Sequence, residues 1–184
     1  LDNSIEANLK SLAAAKKRDV SELMLCTLDR ERHEELIARA RAIGARVTLL
    51  SDGDVAAAIA ACLDDSEIDI YVGSGGAPEG VLAAAAVRCV HGQMQGRLLF
   101  EDDGQIARAR KMNPGADPSR KLALEDMARG DVLFSATGVT GGALLRGVHR
   151  SFGGRTVTHS LVMRSKSGTI RFVEGHHDYH IKTW

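Results

Sequence analysis

The sequence predicts an α/β fold, a mostly parallel sheet with a C-terminal antiparallel hairpin, on three observations. Short apolar runs alternate with helical stretches between residues 23 and 86, and that alternation makes the helices crossovers between parallel strands. One run feeds directly into Gly73-Ser74-Gly75-Gly76-Ala77-Pro78-Glu79-Gly80, small residues at a strand-to-helix junction, where the lack of a Cβ lets a ligand approach the backbone. Near the end, Thr156 to Ser165 and Thr169 to Val173 flank Lys166-Ser167-Gly168, a hairpin pattern.

In order along the chain, Ile5, Leu9 and Leu12 recur at helical spacing behind Asn3 or Ser4 as N-cap, with Lys16-Lys17-Arg18 at the helix end. Leu23 to Leu28 is a strand and Glu31 to Ile43 a helix stopped by Gly44. Val47 to Leu50 is the next strand, residues 55 to 63 a helix, Ile68 to Val72 a third strand and Val81 to Ala86 a third crossover helix, with Pro78 suited to its first position. Met94 to Phe100 reads as a fourth strand, Gln105 to Lys111 and Leu122 to Met127 as short helices, and Val132 to Ala136 as a strand. Thr137-Gly138-Val139-Thr140-Gly141-Gly142 is a second glycine-rich turn that invites a phosphate reading by the same backbone argument, without a charged partner beside it.

Parallel strands bring their carboxyl ends to one edge. Three loops then share a rim: Asp29-Arg30-Glu31-Arg32, Ser51-Asp52-Gly53-Asp54 and Gly73 to Glu79. Arginines supply forked donors for phosphate and aspartates accept bonds from hydroxyls, so the rim suits a small anionic, polyhydroxylated ligand. Glu79 has two readings: a favourable charge at the helix N-terminus, or a ligand for Mg²⁺ or Mn²⁺ at the mouth of a phosphate-sized pocket.

The 184 residues suffice for one domain or one lobe of a larger protein, and 44% hydrophobic residues against 4% aromatics make an aliphatic, alanine-rich core. With 24 basic and 24 acidic residues, net charge argues for neither nucleic acid nor an anionic membrane as partner. Three scattered cysteines fit no zinc or redox spacing and suit a reducing cytoplasm. No apolar run reaches transmembrane length, and the chain begins at Leu1 without an initiator Met or cleavage signal, as a fragment would. His176, His177 and His180 have the spacing of metal ligands within a polar segment that also reads as a solvated tail. No Gly-x-Ser-x-Gly elbow, Walker loop or His-Glu-x-x-His occurs, which disfavours serine hydrolase, nucleoside-triphosphatase and zinc-protease chemistry.

The segments Asp29-Arg30-Glu31-Arg32-His33, Asp52-Gly53-Asp54-Val55-Ala56-Ala57, Gly75-Gly76-Ala77-Pro78-Glu79-Gly80, Met94-Gln95-Gly96-Arg97-Leu98, Phe134-Ser135-Ala136-Thr137-Gly138-Val139-Thr140 and the hairpin Met163 to Arg171 follow one another over nearly the whole chain. Together they resemble class II fructose-1,6-bisphosphatase, a family that in photosynthetic bacteria includes bifunctional fructose-1,6/sedoheptulose-1,7-bisphosphatases. The resemblance implies a layered α/β sandwich of the lithium-sensitive sugar phosphatase type. It implies Mg²⁺- or Mn²⁺-dependent removal of the 1-phosphate of fructose 1,6-bisphosphate, with sedoheptulose 1,7-bisphosphate a second candidate substrate, in gluconeogenesis or a carbon-fixation cycle.

By motif, Glu79 matches the family's metal-ligand glutamate and Gly76 a residue lining the substrate site. Arg30, Glu31 and Arg32 match a substrate-contacting segment, and Asp52, Gly53 and Asp54 a substrate loop. The resemblance covers only the family's carboxy-terminal half, whose missing amino-terminal half carries most metal-binding acids, so the catalytic groups are expected there and the chain alone is expected to be inactive. The expected partners are that half and further copies of the same protein, since symmetric homo-oligomers are the common case for soluble enzymes.

Overall fold

Local sequence dictates the first half of the fold. The computed structural model describes residues 1–151 and 153–181. The Ser4 hydroxyl accepts the Ala7 N–H at 3.2 Å and opens α1 (Ile5–Lys16), which buries Ile5, Leu9 and Ala13 and closes on Lys17 in the left-handed region. β1 (Met24–Leu28) follows, then a 3-10 turn at Glu31–His33 and α2 (Glu34–Ala42). Gly44 stops that helix at φ +88°, a conformation that disfavours any side chain. Next come β2 (Arg46–Leu50), α3 (Asp54–Ala60), β3 (Ile70–Tyr71) and α4 (Ala77–Cys89).

β1 pairs in parallel with β2 on one side and β3 on the other, giving the order β2-β1-β3. The expected third strand shortens to two paired residues, although Asp69 N–H to Met24 O (2.9 Å) and Val72 N–H to Cys26 O (3.1 Å) continue its hydrogen bonding at both ends. α1 and α2 cover one face through Leu9, Ala13, Ala40 and Leu25. α3 and α4 pack together on the other side, with α3 against β1 and β3. Full burial of each leucine in this core contributes about 2 kcal/mol.

The second half departs from the simplest expectation. The hairpin exists, as β8 (Thr156–Arg164) and β9 (Thr169–His177) paired over their whole length, but it does not close the parallel sheet. It belongs to a separate antiparallel sheet in which β8 also pairs with β6 (Leu133–Thr137) and β7 (His149–Arg150). Leu161, Met163 and Phe134 of that sheet pack on Ala86 and Cys89 of α4 and Ile59 of α3. The layers therefore run helix pair, parallel sheet, helix pair, antiparallel sheet. An alanine-rich α4 suits its place against the antiparallel sheet, because small side chains let the two approach closely.

The predicted fourth strand reduces to β4 (Gln95–Gly96), paired antiparallel with β5 (Leu122–Ala123) rather than joined to the parallel sheet. Asp2 lies beside this pair, and Arg97 and Lys121 both bond to its carboxylate. α5 (Asp103–Met112) is capped by Asp102, whose side chain accepts the Gln105 N–H at 2.7 Å. α6 (Leu124–Met127) is a single turn whose Leu124, with Ala128, packs on Ala84 and Val87. Among the described residues, no helix is long and apolar enough to cross a membrane.

Candidate functional site

The three parallel strands deliver their loops to one edge, as expected, and the order β2-β1-β3 adds a feature that linear sequence does not display. The chain crosses from β1 to β2 over one face through α2 and returns past β1 to β3 over the other through α3. β1 is therefore the switch point, and the edge between its loop and that of β3 is where open α/β sheets bind ligands.

The two arginines of the central loop reach in opposite directions. Arg30 donates from Nη1 to Asp29 O and from Nη2 to Ser51 O, both at 2.8 Å, tying the β1 loop to the β2 loop. Arg32 donates from Nη2 to Ser74 O at 2.7 Å and from Nε to Ser74 O and Oγ at 3.2 and 3.0 Å, tying the β1 loop to the glycine loop after β3. Both side chains are exposed. Two guanidinium groups so oriented give the rim positive charge held by main-chain carbonyls rather than by carboxylates, which leaves that charge available to an anion. Glu31 stands exposed between them in the 3-10 turn.

The Asp-Gly-Asp loop starts α3. Gly53 is its N-cap residue at φ +93°, a backbone state that only glycine adopts without strain. The Asp52 carboxylate accepts the Gly53 N–H at 2.7 Å, and Asp54 Oδ1 accepts the Val55 N–H at 2.9 Å. The other Asp54 oxygen turns toward the glycine loop: Oδ2 lies 3.0 Å from where a Cβ on Gly75 would stand, and Glu79 Oε2 lies 4.0 Å from the same point. The two carboxylates thus flank Gly75.

α4 begins one residue earlier than expected, at Ala77, so Pro78 takes the second helical position and Gly76 caps the helix. Glu79 reaches back and accepts the Gly76 N–H at 2.9 Å, satisfying a donor that helix geometry would leave unpaired. The helix-dipole reading of this residue is therefore realised. The metal reading is compatible with it, because a carboxylate engaged through Oε2 retains a second oxygen. Carboxylate oxygens on an exposed rim suit a hard divalent ion, but among the described residues no group of three or more His, Cys, Asp or Glu side chains gathers in a form that could hold one. By themselves these residues supply part of a cage.

Three residues at the site carried no signal that sequence reading recognised. His33 is buried, at 4% exposure, beneath the rim. Its Nδ1 faces Leu28 O at 2.9 Å, with Thr27 Oγ1 at 3.2 Å, and its Nε2 faces the Ser74 N–H at 3.0 Å. A carbonyl only accepts and an amide N–H only donates, so the partners assign a neutral ring with the proton on Nδ1. Ser74 is the residue on which Arg32 and His33 converge. Tyr71 is half-buried, and burial, reinforced by the charge of Asp54, pushes its phenol up to about 12. Its hydroxyl lies 2.9 Å from where a Gly73 Cβ would stand, so Gly73 makes room for the ring. In sequence, only the adjacency of His33 to Arg32 and of Ser74 to the glycines hinted at any of this.

Two other candidates take structural places. The second glycine-rich turn leads into no helix, and of its glycines Gly138 serves close packing, since a Cβ there would clash with Arg146 O, whereas nothing lies within 4 Å of one on Gly141 or Gly142. His176 and His177 are not in a tail but in β9, bonded to Glu174 Oε1 at 2.8 Å and Thr158 Oγ1 at 2.9 Å, with His180 in the turn beyond.

Comparison with known proteins gives consistent matches. Residues 1–177 match the family described as bacterial fructose-1,6-bisphosphatase, glpX-encoded. The chain is similar to fructose-1,6-bisphosphatase 1 class 2 of Escherichia coli K12, 43% identical over 182 residues, covering 92% of this chain and 54% of the relative. It is also similar to D-fructose 1,6-bisphosphatase class 2/sedoheptulose 1,7-bisphosphatase of Synechococcus sp. JA-2-3B'a(2-13), 41% identical over 189 residues, covering 96% of this chain and 54% of the relative. The chain therefore spans about half the length of the curated relatives it matches.

Proposed function

This chain belongs to the glpX-encoded bacterial fructose-1,6-bisphosphatase family, and from that premise we propose that it is the carboxy-terminal lobe of a metal-dependent sugar-bisphosphatase of the lithium-sensitive type. The reaction is hydrolysis of the 1-phosphate of fructose 1,6-bisphosphate to fructose 6-phosphate and phosphate, in gluconeogenesis or a carbon-fixation cycle. Sedoheptulose 1,7-bisphosphate is a second candidate substrate by the name of the Synechococcus relative. The observation that carries this reading is the pair of arginines on the switch-point loop, anchored on Ser51 and Ser74.

Each rim residue has work suited to its chemistry. Arg30 and Arg32 bind phosphate oxygens, with their anchoring carbonyls holding the forks in place. Asp52 and Asp54 accept hydrogen bonds from sugar hydroxyls, with Glu31 at the edge of the same loop. Gly53 lets the backbone turn, and Gly76 lets ligand approach the start of α4. Glu79, steadied by the Gly76 N–H, would hold Mg²⁺ or Mn²⁺ together with acids from an amino-terminal half. Such an ion supplies charge to the phosphoryl oxygens and acidity to a water. The catalytic acids belong to that half, and the active protein is a cytoplasmic homo-oligomer.

A second reading is a sugar-phosphate-binding lobe that is inactive on its own, favoured because Arg30, Arg32 and the glycine loop are tied together by this chain's own residues. Phosphate release from fructose 1,6-bisphosphate with Mg²⁺ or Mn²⁺ separates the two, measured for the 184-residue chain alone and with the amino-terminal half of a longer relative. Activity only in the mixture supports a shared site. Activity of the chain alone refutes it. Inactivity in both, with the halves shown to associate and fructose 6-phosphate bound by calorimetry, favours the binding lobe.

A further inference from the structure

We propose that His33 is a positioning residue: as a neutral imidazole it clamps the glycine loop to the central strand, so that loop backbone and Arg32 meet a phosphorylated ligand in one fixed arrangement. This rests on the sugar-phosphate reading of the rim and adds to it a residue that touches no ligand. Among the described residues, the buried polar side chains are Thr27, His33 and Ser165, and the first two meet directly under the rim. A polar group in that position is costly to bury unless it is satisfied, and here both ring nitrogens are used.

The geometry makes the clamp specific. Leu28 O takes the Nδ1 proton, which leaves the Nε2 lone pair directed at the Ser74 N–H. Ser74 is consequently held on every polar atom. Its N–H goes to His33, its carbonyl to Arg32, and its hydroxyl lies 3.0 Å from Arg32 Nε and 3.3 Å from His33 Nε2. The loop on either side is Gly73, Gly75 and Gly76, residues that lose the most backbone freedom on ordering. A loop of that composition has no intrinsic preference for one conformation, so the anchor at Ser74 decides where the Gly75 and Gly76 amides and the Arg32 fork stand. The charged groups around the ring are Arg32 from its own turn and, across Tyr71 and Gly73, Asp54 from α3.

The test compares His33→Asn with His33→Gln in the 184-residue chain. An asparagine amide can still donate to Leu28 O but places no acceptor at the Nε2 position, whereas the longer glutamine can present one to Ser74. Amide hydrogen exchange at Ser74 and Gly75, followed by NMR, reads the clamp, and calorimetric titration with fructose 6-phosphate and with inorganic phosphate reads its use. The expected result is roughly tenfold faster exchange and roughly tenfold weaker binding in His33→Asn, as for loss of one buried hydrogen bond, with both largely restored in His33→Gln. Equal behaviour of the two variants, or unchanged Ser74 exchange in His33→Asn, overturns the proposal. Wild-type binding of neither ligand refutes the sugar-phosphate reading instead, and the clamp is then judged by exchange alone. Should His33→Asn not fold, imidazole ¹⁵N shifts of the wild-type chain decide: a proton on Nδ1 with Nε2 accepting supports the clamp, and the opposite tautomer overturns it.

Discussion

Replacing Gly76 by alanine tests the rim at its tightest point. The backbone there, φ −65° and ψ 138°, is open to any residue, so alanine introduces no conformational strain and reduces the freedom of the unfolded chain by about 0.5 kcal/mol. The added Cβ, however, would clash with Glu79 Oε2 and stand 3.3 Å from its Cδ. A carboxylate at the end of a flexible side chain yields to such a contact, so Glu79 leaves its seat and loses the Gly76 N–H. Loss of that capping interaction costs about 1 kcal/mol, and the two effects nearly cancel. The expected shift in Tm is within about 4 °C for a domain of this size. Function should respond far more, because displacing a reacting or ligating group by about 1 Å costs on the order of a hundredfold in rate. The assay is metal-dependent phosphate release from fructose 1,6-bisphosphate by the chain completed with an amino-terminal half, alongside thermal unfolding of the chain. Gly80→Ala is the control: it lies one residue beyond Glu79 in α4, has nothing within 4 Å of its would-be Cβ, and should stabilise the helix by up to about 1 kcal/mol with rate unchanged. Equal rates in the two variants would refute the placement of Glu79 at the reacting centre.

Other perturbations separate stability from function. In the completed enzyme, Glu79→Ala should lower activity by orders of magnitude with little change in Tm, and an unaltered metal requirement would contradict the assignment. Asp69 ties α1 to β1, with Lys16 Nζ at 2.6 Å, Arg18 Nη1 at 3.0 Å and the Met24 N–H at 2.8 Å. Burial pushes its carboxyl up, but Lys16, the Met24 amide and Arg18 outweigh that and hold it below the usual range. Its stabilisation is therefore present above the unfolded-state value near ~4 and lost as pH falls through the lower folded-state value. Asp69→Ala should cost about 2 kcal/mol at pH 7, a difference that urea unfolding should find shrinking in acid, with fructose 6-phosphate affinity unchanged. Gly138→Ala should cost about 3 kcal/mol in the same measurement, because its Cβ would meet the Arg146 carbonyl, a backbone atom that cannot swing aside. A cost below about 1 kcal/mol would show that the turn repacks freely. Burial pushes the Cys26 thiol up to about 11 and raises Cys62 and Cys89 as well, so a thiol-specific reagent at pH 8 should label the folded chain slowly and all three cysteines once it is unfolded.

The sequence by itself determined the local elements and the side-chain chemistry of the rim loops. Period and punctuation located α1, β1, β2 and the end of α2 nearly to the residue, because their apolar stripes, the Ser4 cap and the Gly44 stop are written within a few positions of where they act, whereas α2 starts at Glu34 rather than Glu31, behind a 3-10 turn. The convergence of Arg30, Arg32, Asp54 and Glu79 on one rim followed from strand order along the chain, since parallel strands share a carboxyl edge. Only the tertiary structure decided what requires two distant segments to meet. The hairpin's assignment to a second sheet depends on β8 finding β6, and the fate of the predicted fourth strand depends on Gln95 and Gly96 finding Leu122 and Ala123. The role of His33 depends on Ser74, 41 residues further along the chain. A histidine's two nitrogens carry no sequence mark of which will donate and which accept; that follows from the fixed polarity of a carbonyl on one side and an amide on the other, and those groups come together only when the sheet has formed.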